Sequence, residues 1–178
     1  MNILNYDYDI RAVVSLAGFP KASTAYTKVI SRLVNPFLGI FGFGLSLIET
    51  IKFGKLASFS AFKAFKKTKA KVLFIYGKKD NMLDFKGFEN DRFDNLKVIA
   101  LESKGHRVNI TDEAVAYDIK RDEDLKALYK KYNNQIPESV EKEYYANLDY
   151  DLLVELDKNV MKKIDDFFIN EIKNRVAN

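Results

Sequence analysis

The chain has no cysteine and only one histidine, His106, among its 178 residues. The first absence excludes a disulfide framework and any thiolate metal site, and it suits a reducing cytoplasm, the expected location. The second excludes a metal cluster built on imidazoles. Carboxylate-only binding of a hard cation stays open, but no loop carries its signature. No secretory leader is expected in the first residues either: Met1-Asn-Ile-Leu-Asn-Tyr-Asp-Tyr-Asp9 has acids where a signal peptide has Lys or Arg. This segment reads as the end of a helix cut into by the start of the chain. Nor does any membrane span stand out. The 16 uncharged residues between Arg32 and Glu49 fall short of a spanning run and contain Pro36, Gly39, Gly42 and Gly44. No stable membrane insertion is expected.

What is present is an ordinary globular composition, 47% hydrophobic and 30% charged, in a length that suits one domain over residues 1–178. The formal charge of +4 is mild. Lysines gather at Lys63, Lys66, Lys67, Lys69 and Lys71, and again at Lys78-Lys79. No nucleic-acid reader motif accompanies them, so they read as the solvated face of a helix entering a strand, and no nucleic-acid partner is expected.

Two apolar runs, Lys71-Val72-Leu73-Phe74-Ile75-Tyr76 and Leu96-Lys97-Val98-Ile99-Ala100-Leu101, read as buried parallel strands. A third strand is expected over 11–17, ending at Gly18-Phe19-Pro20. Residues 23–53 read as helical and apolar. Ser58 or Ser60 would cap a helix through Ala61 to Lys66. Asp84 to Asn95 has room for one short helix. Thr111, followed by Asp112 and Glu113, marks a helix start, with the helix running to about Tyr132. Pro137 suits the first position of the next helix. A final helix is predicted over Asp157 to Asn174, with Val160, Ile164, Phe167, Phe168 and Ile172 on one face. The expected fold class is α/β, with about three parallel strands flanked by helices.

The carboxyl ends of successive parallel strands share one edge, where chemistry collects. Gly77-Lys78-Lys79-Asp80 follows one run and Lys104-Gly105-His106 the next, so that edge should bring a carboxylate and the sole histidine together. Here the chain resembles the α/β-hydrolase family, whose acid follows a strand in a Gly-x-x-Asp loop and whose histidine follows the last strand in a Gly-His pair. Residues 11–19, Arg-Ala-Val-Val-Ser-Leu-Ala-Gly-Phe, look like the strand after the nucleophile helix in bacterial members. The resemblance covers residues 10 to 110, and it implies a triad in the order Ser, Asp, His. Asp80 would orient the ring and His106 would act as base and then acid. Asp84 is the alternative acid, with an N-cap as its ordinary role. Met82, Leu83 and Phe85 either line a pocket or belong to the core.

The resemblance further implies a partial hydrolase domain with a helical lid over 20–57, an ester or thioester acyl substrate, an acyl-Ser intermediate and no cofactor. One element of the family is missing. No Gly-x-Ser-x-Gly elbow occurs; Gly44-Leu45-Ser46-Leu47-Ile48 lacks the closing glycine and follows no strand. Ser15 lies mid-strand and Ser103 too close to His106 in sequence, so neither replaces it. The expectation is therefore the C-terminal part of a serine hydrolase, inactive alone. An exposed first strand would drive homodimerisation, pairing with a separate N-terminal half, or poor solubility. The alternatives are a catalytically dead binding or assembly module, and a peripheral lipid-binding protein acting through its Phe-rich segment.

Overall fold

A computed structural model describes residues 4, 9–18, 44, 47–48, 50–58, 60–81, 85, 88 and 93–176. The short helix expected within 84–95, most of the helical stretch 23–53 and residues 20–43 of the expected lid fall largely outside this set, as do Met82, Leu83 and Asp84. Two compact units are present: Met1–Val108 with Lys162–Asn178, and Asn109–Met161.

The first unit is built on a three-stranded parallel sheet flanked by helices. β1 (Ala12–Leu16), β2 (Lys71–Gly77) and β3 (Leu96–Leu101) lie in that order, all parallel. The central strand has the continuous apolar run expected of a strand covered on both faces. Val72, Leu73, Phe74 and Ile75 are all essentially inaccessible. The register pairs Val13 with Val72, and Phe74 with Val98, so these residues share one sheet face. That face meets Ala61, Ala64 and Phe65 of α1 (Ala61–Lys67), together with Leu4 and Phe88. Phe74 and Phe88 stack with centroids 4.1 Å apart. Ser15 is buried, as its mid-strand position predicted.

Ser60 occupies the N-cap of α1, but its side chain makes no capping bond, so only the position of the expected cap holds. The chain passes from α1 to β2 through a short connector fastened by Asn95. Its Nδ2 donates to the carbonyls of Phe65 (3.2 Å), Thr68 (3.0 Å) and Ala70 (3.1 Å). Two amide hydrogens thus serve three acceptors. Asn95→Ala strands those part-buried carbonyls and is expected to cost about 2 kcal/mol, lowering the melting temperature by roughly 4–8 °C. Asn95→Asp should cost more, because a carboxylate would then face three carbonyl oxygens. Thermal unfolding followed by circular dichroism measures both.

The second unit contains α2 (Asp112–Lys131), α3 (Glu138–Ala146) and α4 (Tyr150–Leu153). The hydroxyl of Thr111 accepts from the amide of Ala114 at 3.1 Å, confirming the predicted helix start. Pro137 is the N-cap residue of α3, one position ahead of the helical site foreseen for it. The Tyr144 hydroxyl donates to the Arg121 carbonyl at 2.7 Å. Burial raises its pKa above the ordinary tyrosine value, while the nearby Arg121 guanidinium opposes the rise. The folded state thus favours the neutral phenol. The resulting stabilisation is complete below the ordinary tyrosine pKa and is lost as pH climbs through the raised one. In an alkaline absorbance titration one of the ten tyrosines should ionise late, and Tyr144→Phe should remove that component.

α5 (Lys158–Val176) begins in the second unit and ends in the first. Asp157 caps it, accepting from the amides of Asn159 (2.9 Å) and Val160 (3.2 Å). The face predicted for it needs correction. Val160, Ile164 and Phe167 are buried, but Phe168 is 37% and Ile172 64% exposed. The buried stripe follows spacings of four and three residues, and both exceptions lie one position outside it. Among the described residues no helix is long and apolar enough to cross a membrane.

Candidate functional site

Parallel pairing places the ends of β2 and β3 at one edge, with Gly77 opposite Leu101. The loops that follow are tied together by their main chains. The Lys78 amide donates to the Leu101 carbonyl at 2.9 Å, and the Lys79 amide to that of Lys104 at 3.0 Å. The Asp80 amide closes a tight turn onto the Gly77 carbonyl at 3.1 Å. Outside this ladder, Lys78 Nζ lies 2.5 Å from Glu102 Oε1. The hydrogen bond to Glu102, then its charge, raises the Lys78 pKa above the ordinary lysine value. The Lys78 ammonium therefore keeps its proton through neutral pH and gives it up only under more alkaline conditions than an ordinary lysine.

This framework presents Asp80 to His106. The ring Nδ1 lies 2.7 Å from Asp80 Oδ2. The Asp80 side chain is wholly buried, whereas that of His106 is 42% exposed. An ionised carboxylate can only accept, so a neutral imidazole facing it carries its proton on Nδ1 and leaves a lone pair on Nε2. Nε2 makes no hydrogen bond among the described residues. The arrangement is a buried carboxylate behind a partly exposed ring. Chemically it can accept a proton from a nucleophile and return it to a leaving group.

The two residues expected at this edge are thus in direct contact. Asp84, the alternative acid, lies outside the described residues, and Phe85 is half-buried against the aromatic core rather than open to solvent. Ser103 is exposed, on the same loop as His106.

Three features of the site were not foreseen. Lys104 is buried. Lys78 and Glu102 clamp the loops from outside. Gly77 leaves no room for a side chain, because a Cβ there would run into the carbonyl oxygens of Lys104 and Gly105. Only the glycine had a signal in the sequence, its place at the end of a strand.

No group of three or more His, Cys, Asp or Glu able to hold a metal ion occurs among the described residues. A cleft of about 360 Å³ lies at the amino ends of β2 and β3, lined by Lys71, Lys97, Lys163, Asp94 and Asp166 among others. It sits at the opposite end of the strands from His106. No family model, curated protein or solved structure matches this chain.

Proposed function

We propose that this chain is the C-terminal part of a serine hydrolase of the α/β-hydrolase type, supplying the base and the orienting acid for cleavage of an acyl ester or thioester. The observation that carries this reading is the 2.7 Å contact between His106 Nδ1 and a fully buried Asp80 carboxylate. In this scheme a serine supplied from outside these 178 residues attacks the acyl carbon while His106 Nε2 takes its proton. The imidazolium then protonates the departing alkoxide or thiolate. Water repeats the sequence in reverse roles to release the acid and free the serine. Asp80 fixes the tautomer and stabilises the imidazolium. The partner is either an N-terminal half or a segment joined to this one. β1 pairs only with β2 among the described residues, which supports its outer edge as the place where a further strand joins.

The experiment uses p-nitrophenyl esters and a fluorophosphonate label. The 178-residue chain alone should neither hydrolyse nor be labelled. Joined to, or mixed with, the polypeptide encoded immediately upstream, it should do both, with the label on a serine in a Gly-x-Ser-x-Gly sequence. Hydrolysis that survives His106→Ala in the assembled protein would sink the proposal, as would an upstream region without such a serine.

A further inference from the structure

Charge is divided unevenly along the chain. Residues 1–79 hold thirteen Lys and Arg against three Asp and Glu, whereas residues 80–178 hold sixteen against twenty-two. Between residues 50 and 79 there are nine lysines and no acid. Lys52, Lys63, Lys66, Lys67, Lys69 and Lys71 are exposed and enter no ion pair among the described residues. Such an asymmetry, hidden by a net charge of only +4, points to an anionic partner.

Around Lys52 and Lys55 in the chain the protein leaves large apolar side chains in water. Leu47, Ile48 and residues 50–53 are helical, and Gly54, with φ 55°, turns the chain into a 3-10 segment over Gly54–Ser58. Leu47, Ile48, Ile51 and Phe53 are each at least half exposed, Ile51 by 77%. Leu47, Ile48 and Ile51 are spaced three and four residues apart and share a helix face. Lys52 Nζ sits 5.5 Å from the Phe53 ring centroid. An apolar cluster of this kind, with cationic neighbours, signals an interaction surface.

We propose that this segment is a docking site for an anionic lipid surface, with Leu47, Ile48, Ile51 and Phe53 entering the headgroup boundary and Lys52 and Lys55 meeting lipid phosphates. The chemistry selects this occupant. Nucleic acid would satisfy the lysines but leave the isoleucines and the phenylalanine in water. A second copy would bring this basic patch against itself in a two-fold interface, where like charges repel. A bilayer surface accepts both groups, as it does for amphipathic interfacial segments with a cationic side. This inference is independent of the His106 site, and its test reads no catalytic activity.

The test is co-sedimentation of the full chain with vesicles of phosphatidylcholine alone and of phosphatidylcholine mixed with phosphatidylglycerol. Binding is expected to the mixed vesicles and to weaken with added salt. Each surface lysine contributes about fivefold in partitioning, so reversing the charge with Lys52→Glu and Lys55→Glu should reduce it by at least about 25-fold. Ile51→Asp with Phe53→Asp should reduce it at least tenfold. Both pairs are exposed, so circular dichroism should show the fold unchanged. The proposal is overturned by failure to bind the mixed vesicles, by equal binding to both vesicle types, or by variants that bind like the parent. It is equally overturned if the chain binds duplex DNA or RNA but not vesicles, or if the Asp pair only dissolves a self-associated form.

Discussion

Replacing Asp80 with asparagine is expected to turn the His106 ring to its other tautomer and to abolish most activity of the hydrolase proposed above. In the parent the carboxylate can only accept, so the neutral ring holds its proton on Nδ1 and keeps Nε2 free to act as a base. An amide in the same place can present its NH2 group to Nδ1, which then becomes the acceptor. The ring proton moves to Nε2, the nitrogen that must receive the serine proton. The packing is nearly unchanged, yet the base is disabled. The same exchange in a serine protease costs about 10⁴-fold in kcat, and a loss of that order is expected here. His106→Ala should cost at least as much.

The tautomer can be measured without any nucleophile, because the chain contains one imidazole and its two ring nitrogens give unambiguous ¹⁵N resonances. With the ring neutral, the parent should show the Nδ1–H form and Asp80→Asn the Nε2–H form. A parent ring in the Nε2–H form would remove the chemical basis of the proposed function. Retention of the Nδ1–H form in Asp80→Asn would remove this explanation of the acid's role.

The parts of this protein that were legible in the sequence are those set by local chemistry. β2 and β3 are continuous apolar runs ending at polar loops, and both lie within one residue of their expected ends. α2 begins at a threonine followed by two acids, and that pattern alone located its first turn. The approach of Asp80 to His106 was legible because parallel strands in succession must deliver their carboxyl ends to one edge. What was not legible depends on distant segments. Phe168 and Ile172 look identical to core residues until the position of the buried stripe on α5 is known. The four-residue α4 has no periodicity to detect, being a single turn capped by Asp149. The Lys78–Glu102 pair joins residues on separate loops and carries no sequence signal. The exposure of Ile51 and Phe53 was equally hidden, since hydrophobic side chains are assigned to a core by default.

The contrast between two glycines offers the second large effect. Gly77 and Gly105 each belong to one of the two loop motifs, and motif logic does not tell their roles apart. The structure separates them. A Cβ built on Gly105 meets nothing within 4 Å, whereas one built on Gly77 collides with the main-chain carbonyls of Lys104 and Gly105. Neither glycine has a positive φ, so the difference is one of space alone. The obstacle at Gly77 is backbone, which has no rotamer with which to escape. Gly77→Ala must therefore push the second loop away from the first, breaking the bond from the Lys79 amide to the Lys104 carbonyl and drawing His106 off Asp80. A loss of about 1–3 kcal/mol is expected from overpacking, seen as a drop of roughly 2–12 °C in melting temperature. The Nδ1–H signature of His106 should fade with it. Gly105→Ala should melt within a few degrees of the parent and retain that signature. Equal behaviour of the two variants, in melting and in the imidazole spectrum, would show that the approach of Lys104 to Gly77 does not hold the histidine in place.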